Sequence, residues 1–586
     1  MHIPLSDASL SSGSVDLLED IVVVAGLILA WPLSRYMGDR FEAAERAFRG
    51  LAGKRVIAIL IAGLLPVILR CSLLPFIPIP APVIHEEFSN LLEADTFAAG
   101  RLTNPAHPMA PYFETFQVIQ HPSYCSIRPP AYAAILAVGE TLRSPWFGVV
   151  LSVALMCMAM CWMLQEWTTP AWALLASILL GLRLGVLGYW INSYWGGSVT
   201  ALAGTLILGA LPGLKRTSPV KGALPMAAGL ILIATTRPYE GAFFLLAVAI
   251  WLVLALRREG IVIQRAFWRN CFAPVFLLTA VFIGWSGYFD TRTTGHPTES
   301  PYVYYRLHYS SAPSLIWEEP ARRHFSIPEM QNYFIRWELP YYQRIVSRST
   351  YASELGNKVA AFYRFYIRPA FLIPLLLIPL VYRKRYPGVR LCGLILIAEC
   401  LAAELEVWGA PYYFACLTPV IYLLVVQTMR EMRGIRWGGR PVGAFLVRWL
   451  AACVIGIFAF SAGLEIARIR IRETGAFFLL PGPNLMEERA RIEKTLESLP
   501  GKQLVIVHYA QDHNPHQEWV WNRSDIDDSR VVWARDLGRA GEQPLLSYFH
   551  DRTVWAVDPD RNPPLLTRVS RWNQSATGIS GISERR

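Results

Sequence analysis

The chain has 586 residues, 53% of them hydrophobic and only 17% charged, against about 25% charged in soluble domains. That balance excludes an ordinary soluble enzyme, and an aromatic content of 12%, with 20 Trp and 25 Tyr, suits membrane–water interfaces. The formal charge of +11 does not indicate nucleic acid, because the basic residues lie in short runs between apolar segments rather than along one amphipathic face.

A helix needs about 20 residues to cross the hydrocarbon core. The first 20 residues lack a basic leader, so no cleavable signal peptide is expected. Apolar segments then predict spans near 19–36, 55–76, 146–165, 169–187, 196–213, 222–238, 241–256, 272–289, 366–382, 390–407, 410–428 and 444–465. The basic clusters occupy alternate connections: Arg40, Arg46, Arg49, Lys54 and Arg55; then Lys215, Arg216 and Lys221; then Arg257, Arg258, Arg265 and Arg269. Arg383, Lys384, Arg385 and Arg390 follow, and finally Arg430, Arg433, Arg436 and Arg440. Placing these in the cytoplasm of a bacterial inner membrane puts both termini outside, together with the segments 77–145, 290–365 and 467–586.

The expected architecture is therefore an α-helical polytopic membrane protein of about twelve spans. It divides into an anchor span with its cytoplasmic connection (1–54), a transmembrane module (55–466) and a small extracytoplasmic α/β domain (467–586). Residues 129–140 read as a helix lying on the membrane surface. In the C-terminal segment, a helical pattern at 485–499 and another at 545–550 alternate with β-branched runs at 504–507, 531–533 and 554–557, which predicts about three strands. No repeat or low-complexity tract is present. Most cysteines sit in apolar runs, with only Cys125 clearly in a loop, and no CxxC pair occurs; they read as packing residues, without a disulfide framework or metal site.

The loop after the second span carries the most chemistry. It opens with Ile84-His85-Glu86-Glu87-Phe88 and closes with Ser126-Ile127-Arg128-Pro129-Pro130. A carboxylate just past a helix end is placed to take a proton from an acceptor hydroxyl or amine, or is a solvated loop charge. Arg128 suits a phosphate clamp, or a headgroup anchor. Arg237, with Tyr239 and Glu240 beside it in TTRPYEG, is an ionisable group at membrane depth, functional or a structural ion pair with Glu240. Asn192, Tyr194 and Trp195 before Gly196-Gly197 fit sugar stacking or interface anchoring, and Glu404, Glu406, Tyr412 and Tyr413 can line the same cavity. Tyr302, Tyr304, Tyr305, Arg306, His308 and Tyr309 form an amphipathic patch, either cleft wall or lid. His508, Asp512, His513, His516 and Glu518 match no standard metal spacing and read as a polar turn, and Asn522 and Asn573 begin sequons of little weight here.

With these residues in view, the chain resembles the GT-C glycosyltransferases, a superfamily that includes protein O-mannosyltransferases and lipid A aminoarabinose transferases. The likeness rests on the acidic pair that opens the first external loop and the basic-Pro-Pro element that closes it. The strings HEEFSNLLEADTFAAGRLTNPAHPM, SYWGGSVTALAG, TTRPYEG and DHNPHQEWVWNRSDID resemble a bacterial subgroup of such proteins.

The resemblance implies transfer of a sugar from a polyprenyl-phosphate carrier, held in the lipid bilayer, to an extracytoplasmic lipid, glycan or protein acceptor, with inversion. It assigns Glu86 as general base, Glu87 as helper or structural acid, and Arg128 to the carrier phosphate. Arg237, Glu240, Tyr194, Trp195, His308 and Tyr412 are further substrate-binding candidates. Glu stands where Asp is common in the family, which adds a methylene of reach. No cofactor is expected, and metal-independent transfer is favoured over a divalent ion. A transporter or flippase for a lipid-linked sugar, and a non-catalytic scaffold, are the alternatives; a transporter would show mid-span charges and matching halves, whereas the charges here sit near span ends.

Overall fold

The structure, a computed structural model, describes residues 9–36, 39–467, 469–472 and 484–569; the sequon at Asn573 lies outside them. Each of the twelve expected spans coincides with helix. Among the described residues seven helices are long and apolar enough to cross a membrane, from Arg55–Ser72 to Val442–Ile466, and the chain is a multi-pass membrane protein. One of the others is broken by its own prolines. The stretch 366–382 carries Pro369, Pro374 and Pro379, each lacking the N–H an unbroken helix needs. It folds as Arg368–Leu375 and Ile378–Arg383 with a turn between them.

The connections sort to two ends of the bundle. At one end Glu45 binds Arg433 at 2.6 Å and Arg448 at 2.9 Å, while Lys384 pairs with Glu431, Arg216 with Glu166 and Lys215 with Glu259. Basic clusters from alternate connections thus meet one another, as their parity requires. The other end carries the two long loops and the C-terminal domain. There, the prolines at 75, 78, 80 and 82 keep the chain extended after helix Arg55–Ser72 until helix His85–Ala98 begins. The surface helix starts at Pro130 and runs to Thr141, Pro at the first helical position being preorganised for it.

The C-terminal domain holds the three expected strands and a fourth. Gln503–Val507 is central, parallel to Val531–Arg535 on one side and to Thr553–Asp558 on the other, and Leu565–Arg568 adds an antiparallel edge. Helices Asn484–Ser498 and Arg539–Tyr548 flank it. The motif at 512–527 docks this domain on the first loop. Trp521 stacks flat on Phe88 (4.7 Å, 4°), Arg523 reaches Asp95 at 2.9 Å and Glu140 at 2.7 Å, and Asp527 meets His107 at 3.1 Å. Arg535, 1% exposed, binds Glu518 at 2.6 Å, Glu329 at 3.0 Å and the Glu114 carbonyl at 2.9 Å. One guanidinium therefore ties the domain to both loops. The Asn522 side chain exchanges two hydrogen bonds with the Trp533 backbone and is a structural group.

Candidate functional site

Helix His85–Ala98 begins with its two acids buried, and they do different work. The Glu87 carboxylate accepts the backbone N–H groups of Val83 (2.7 Å), Ile84 (3.2 Å) and Tyr194 (2.9 Å). It caps its own helix and fastens it to the 189–196 turn. Burial pushes its pKa up to about 7 despite these donors. Glu86 instead faces a network. Its Oε1 pairs with Arg128 and lies 3.5 Å from Arg237, and its Oε2 accepts the Tyr412 hydroxyl at 2.6 Å. The side chains of Glu86, Arg128 and Arg237 are 6%, 9% and 15% exposed.

Local sequence explains the convergence. Arg128 and Arg237 each stand just before a helix that opens with Pro, at Pro130 and Pro238. The Ala131 N–H donates to the Thr235 carbonyl at 3.2 Å, which brings the two helix starts together. Gly196 adopts φ +84°, and a Cβ there would sit 2.8 Å from the Tyr132 ring; one on Gly197 would sit 2.2 Å from Trp190. The glycine pair thus lets Trp195 turn inward, where its ring stacks on Tyr412 (5.1 Å, 23°). The Arg237 guanidinium lies 3.8 Å over Tyr413 and 5.0 Å over Tyr412.

This network sits in the wall between two cavities. The smaller, about 340 Å³, has Glu86, Trp195, Tyr412 and Tyr413 in its lining; the larger, about 650 Å³, has Arg237, Glu240 and Glu406. Arg128 and Arg306 border both. Ser286, Phe289 and Asp290 line the larger cavity from a 265–294 helix whose most apolar 18-residue stretch is only 6% buried inside the protein.

Several expected residues lie elsewhere. His308 is exposed, stacks on Tyr304 at 4.1 Å and lines neither cavity, because helix Pro301–His308 turns Tyr302, Tyr305 and Arg306 inward instead. Arg237 makes its direct ion-pair contact with Glu86 at 3.5 Å, while Glu240 remains the strongest nearby charge acting on it. Tyr194 is buried and acts through its backbone N–H and a hydroxyl bond to the Pro80 carbonyl (3.1 Å). Glu404 accepts the Tyr351 hydroxyl and lines neither cavity. The C-terminal histidines separate into two pairs, His508–Asp536 (2.5 Å) and His513–Asp560 (2.7 Å). Among the described residues no group of three or more His, Cys, Asp or Glu is arranged to hold a metal.

His516, read from sequence as part of a polar turn, enters the smaller cavity from the C-terminal domain and stacks on His85 (5.7 Å, 29°). Burial lowers the pKa of both, His516 to about 4. No local sequence signal marked this contact.

No family model matches the chain, and no curated protein matches it. Among solved structures it is similar to ArnT from Cupriavidus metallidurans bound to undecaprenyl phosphate, at 12% identity and TM-score 0.46, covering 89% of this chain and 93% of that one. It is also similar to the archaeal oligosaccharyltransferase AglB from Archaeoglobus fulgidus in complex with an inhibitory peptide and a dolichol-phosphate, at 10% identity and TM-score 0.42, covering 89% of this chain and 70% of that one.

Proposed function

We propose that the protein is a glycosyltransferase that moves a sugar from a polyprenyl-phosphate carrier to an acceptor at the loop end of the bundle, outside the cytoplasm, with inversion. The observation that carries this reading is the Glu86–Arg128–Arg237–Tyr412 network in the wall between two cavities. The larger cavity borders a helix with little protein around it, so a prenyl tail can stay in lipid while its phosphate reaches the arginines.

Both arginines precede helix N-termini, whose free N–H groups and dipole favour an anion. The donor phosphate competes with Glu86 for Arg128 and Arg237. As the guanidiniums turn to phosphate, the Glu86 lone pairs they occupied are freed. The acceptor, entering from the smaller cavity, gives its proton to Glu86 while its oxygen or nitrogen bonds to the anomeric carbon. The bond from that carbon to the phosphate oxygen breaks, and polyprenyl phosphate leaves with its charge held by the arginines. Tyr412 orients Glu86, and Glu87 holds the helix that carries it.

The test is release of polyprenyl phosphate by purified protein from a panel of polyprenyl-phosphate sugars. Turnover that is lost in Glu86→Gln and strongly reduced in Arg128→Ala supports the reading. Turnover unaffected by Glu86→Gln removes Glu86 as the base, and no turnover with any donor removes the transferase.

A further inference from the structure

The smaller cavity is lined unlike a lipid or peptide site. Its aliphatic side chains are Ile84, Ile127 and Ala410, too few for an acyl chain, and no residue of a β-strand lines it to pair with an extended peptide. Aromatic rings dominate instead. Trp337 and Tyr341 lie four apart in the second loop, and Trp408 follows helix Val389–Leu405. Their planes are within 9° to 25° of one another, with centroids 5.0 to 6.2 Å apart, and none of the three is fully buried. Ring faces are electron-rich, and the C–H face of a pyranose, polarised by its oxygens, complements them.

The second observation is polar. His85 is 6% exposed, and its Nδ1 has no hydrogen-bond partner; His516 stacks on it, and its Nε2 likewise has none. His516 also stands edge-on to Trp337 at 4.4 Å. Buried polar atoms without a partner are costly, and the two here belong to residues that line the same cavity. Burial keeps both imidazoles neutral; His85 Nε2 meets the Tyr333 hydroxyl at 3.4 Å, which leaves its Nδ1, and His516 Nε2, as the nitrogens open to a hydroxyl group. At about 340 Å³ the space lies at the small end of the range for ligand pockets, roughly 300–1,000 Å³.

We propose that this cavity is a carbohydrate site, with Trp337, Tyr341 and Trp408 as the stacking platform and His85 and His516 as hydroxyl partners. Calling its occupant the acceptor rests on the transferase reading above. The C-terminal domain thereby supplies a binding residue, and the acceptor class narrows to a glycan or the sugar headgroup of a glycolipid.

The experiment is saturation-transfer NMR on the detergent-purified full chain without donor. The probes are a library of mono- to tetrasaccharides of hexoses, N-acetylhexosamines, pentoses, deoxyhexoses and uronates, alongside Ser-, Thr- and Asn-containing peptides. The expected result is saturation of one ring face of at least one saccharide, weakened at least tenfold in Trp408→Ala and in His516→Ala. Trp408→Phe, which keeps an aromatic face, is expected to retain binding, and Lys384→Ala serves as a remote control for folding. Absence of saccharide binding at millimolar concentration, or binding indifferent to Trp408→Ala and His516→Ala, overturns the proposal. Saccharide binding without turnover of any carrier-linked donor sinks the transferase reading and leaves the carbohydrate site standing. Transfer to peptide or a lipid amine with no saccharide bound sinks the carbohydrate site and leaves the transferase.

Discussion

The two ends of the bundle both hold ion pairs, and burial makes them different objects. At the basic end, Lys384 and Arg216 are 51% and 56% exposed where they meet Glu431 and Glu166. Water and salt screen such pairs, and side-chain entropy offsets much of what remains. At the loop end, Arg128–Glu86 and Arg535–Glu518 are nearly sealed from solvent. A sealed pair gains little over an apolar substitute of the same shape, but removing one partner strands a charge. The Arg128–Glu86 pair is kept in that condition beside two cavities, whereas Arg535–Glu518 clamps the domain to the loops. The basic clusters gather where their charges stay in contact with water, and the buried network borders two cavities.

The sharpest way to break this comparison is Glu86→Gln. If Glu86 is the base, carrier-dependent turnover falls by about 10²–10⁴-fold, measured as release of polyprenyl phosphate; a fall under threefold places the chemistry elsewhere. Arg535→Met should come next. It leaves Glu518 and Glu329 without their cation, and a loss of about 3–5 kcal/mol is expected for a broken buried pair. Limited proteolysis should then release the C-terminal domain well below the wild-type unfolding temperature.

A smaller effect follows from the histidines between the domain and the first loop. Folded His516 has its pKa lowered to about 4 from 6.5 in the open chain, and His85 shifts the same way, both through burial. Below the ordinary histidine pKa the unfolded chain binds protons that the folded one refuses. This contribution is thus present above about pH 6.5 and lost as pH falls toward 4. Hydrogen exchange across 508–521, corrected for intrinsic rates, should quicken over that window and do so less in His516→Phe. Glu87 and Glu114, both raised to about 7 by burial, act with the opposite sign, their contribution fading as pH rises from about 4.5 through 7. The smallest change is expected from Lys384→Ala, whose thermal midpoint should match wild type at physiological salt; a clear drop would erase the contrast between the two ends.

The local chemistry of the chain determined much of this molecule. Runs of apolar residues placed the helices, alternate basic clusters required one common end, and prolines at 130 and 238 marked the two helix starts behind Arg128 and Arg237. Strand patterning found the three parallel strands of the C-terminal domain. These properties depend on neighbours within a turn or a strand, which a linear sequence displays directly.

Only the tertiary structure decided which side chains meet. Arg237 contacts Glu86 as well as feeling the nearby Glu240; of two adjacent acids, one caps backbone and the other faces two arginines; His308 points outward; His516 arrives from the far end of the chain to cover His85. Each of these outcomes depends on how separate spans and loops are packed, here through contacts such as Ala131 N–H to the Thr235 carbonyl and the clamp of Arg535 on both loops. Those contacts join residues distant along the chain, and no local pattern of spacing or polarity encodes them.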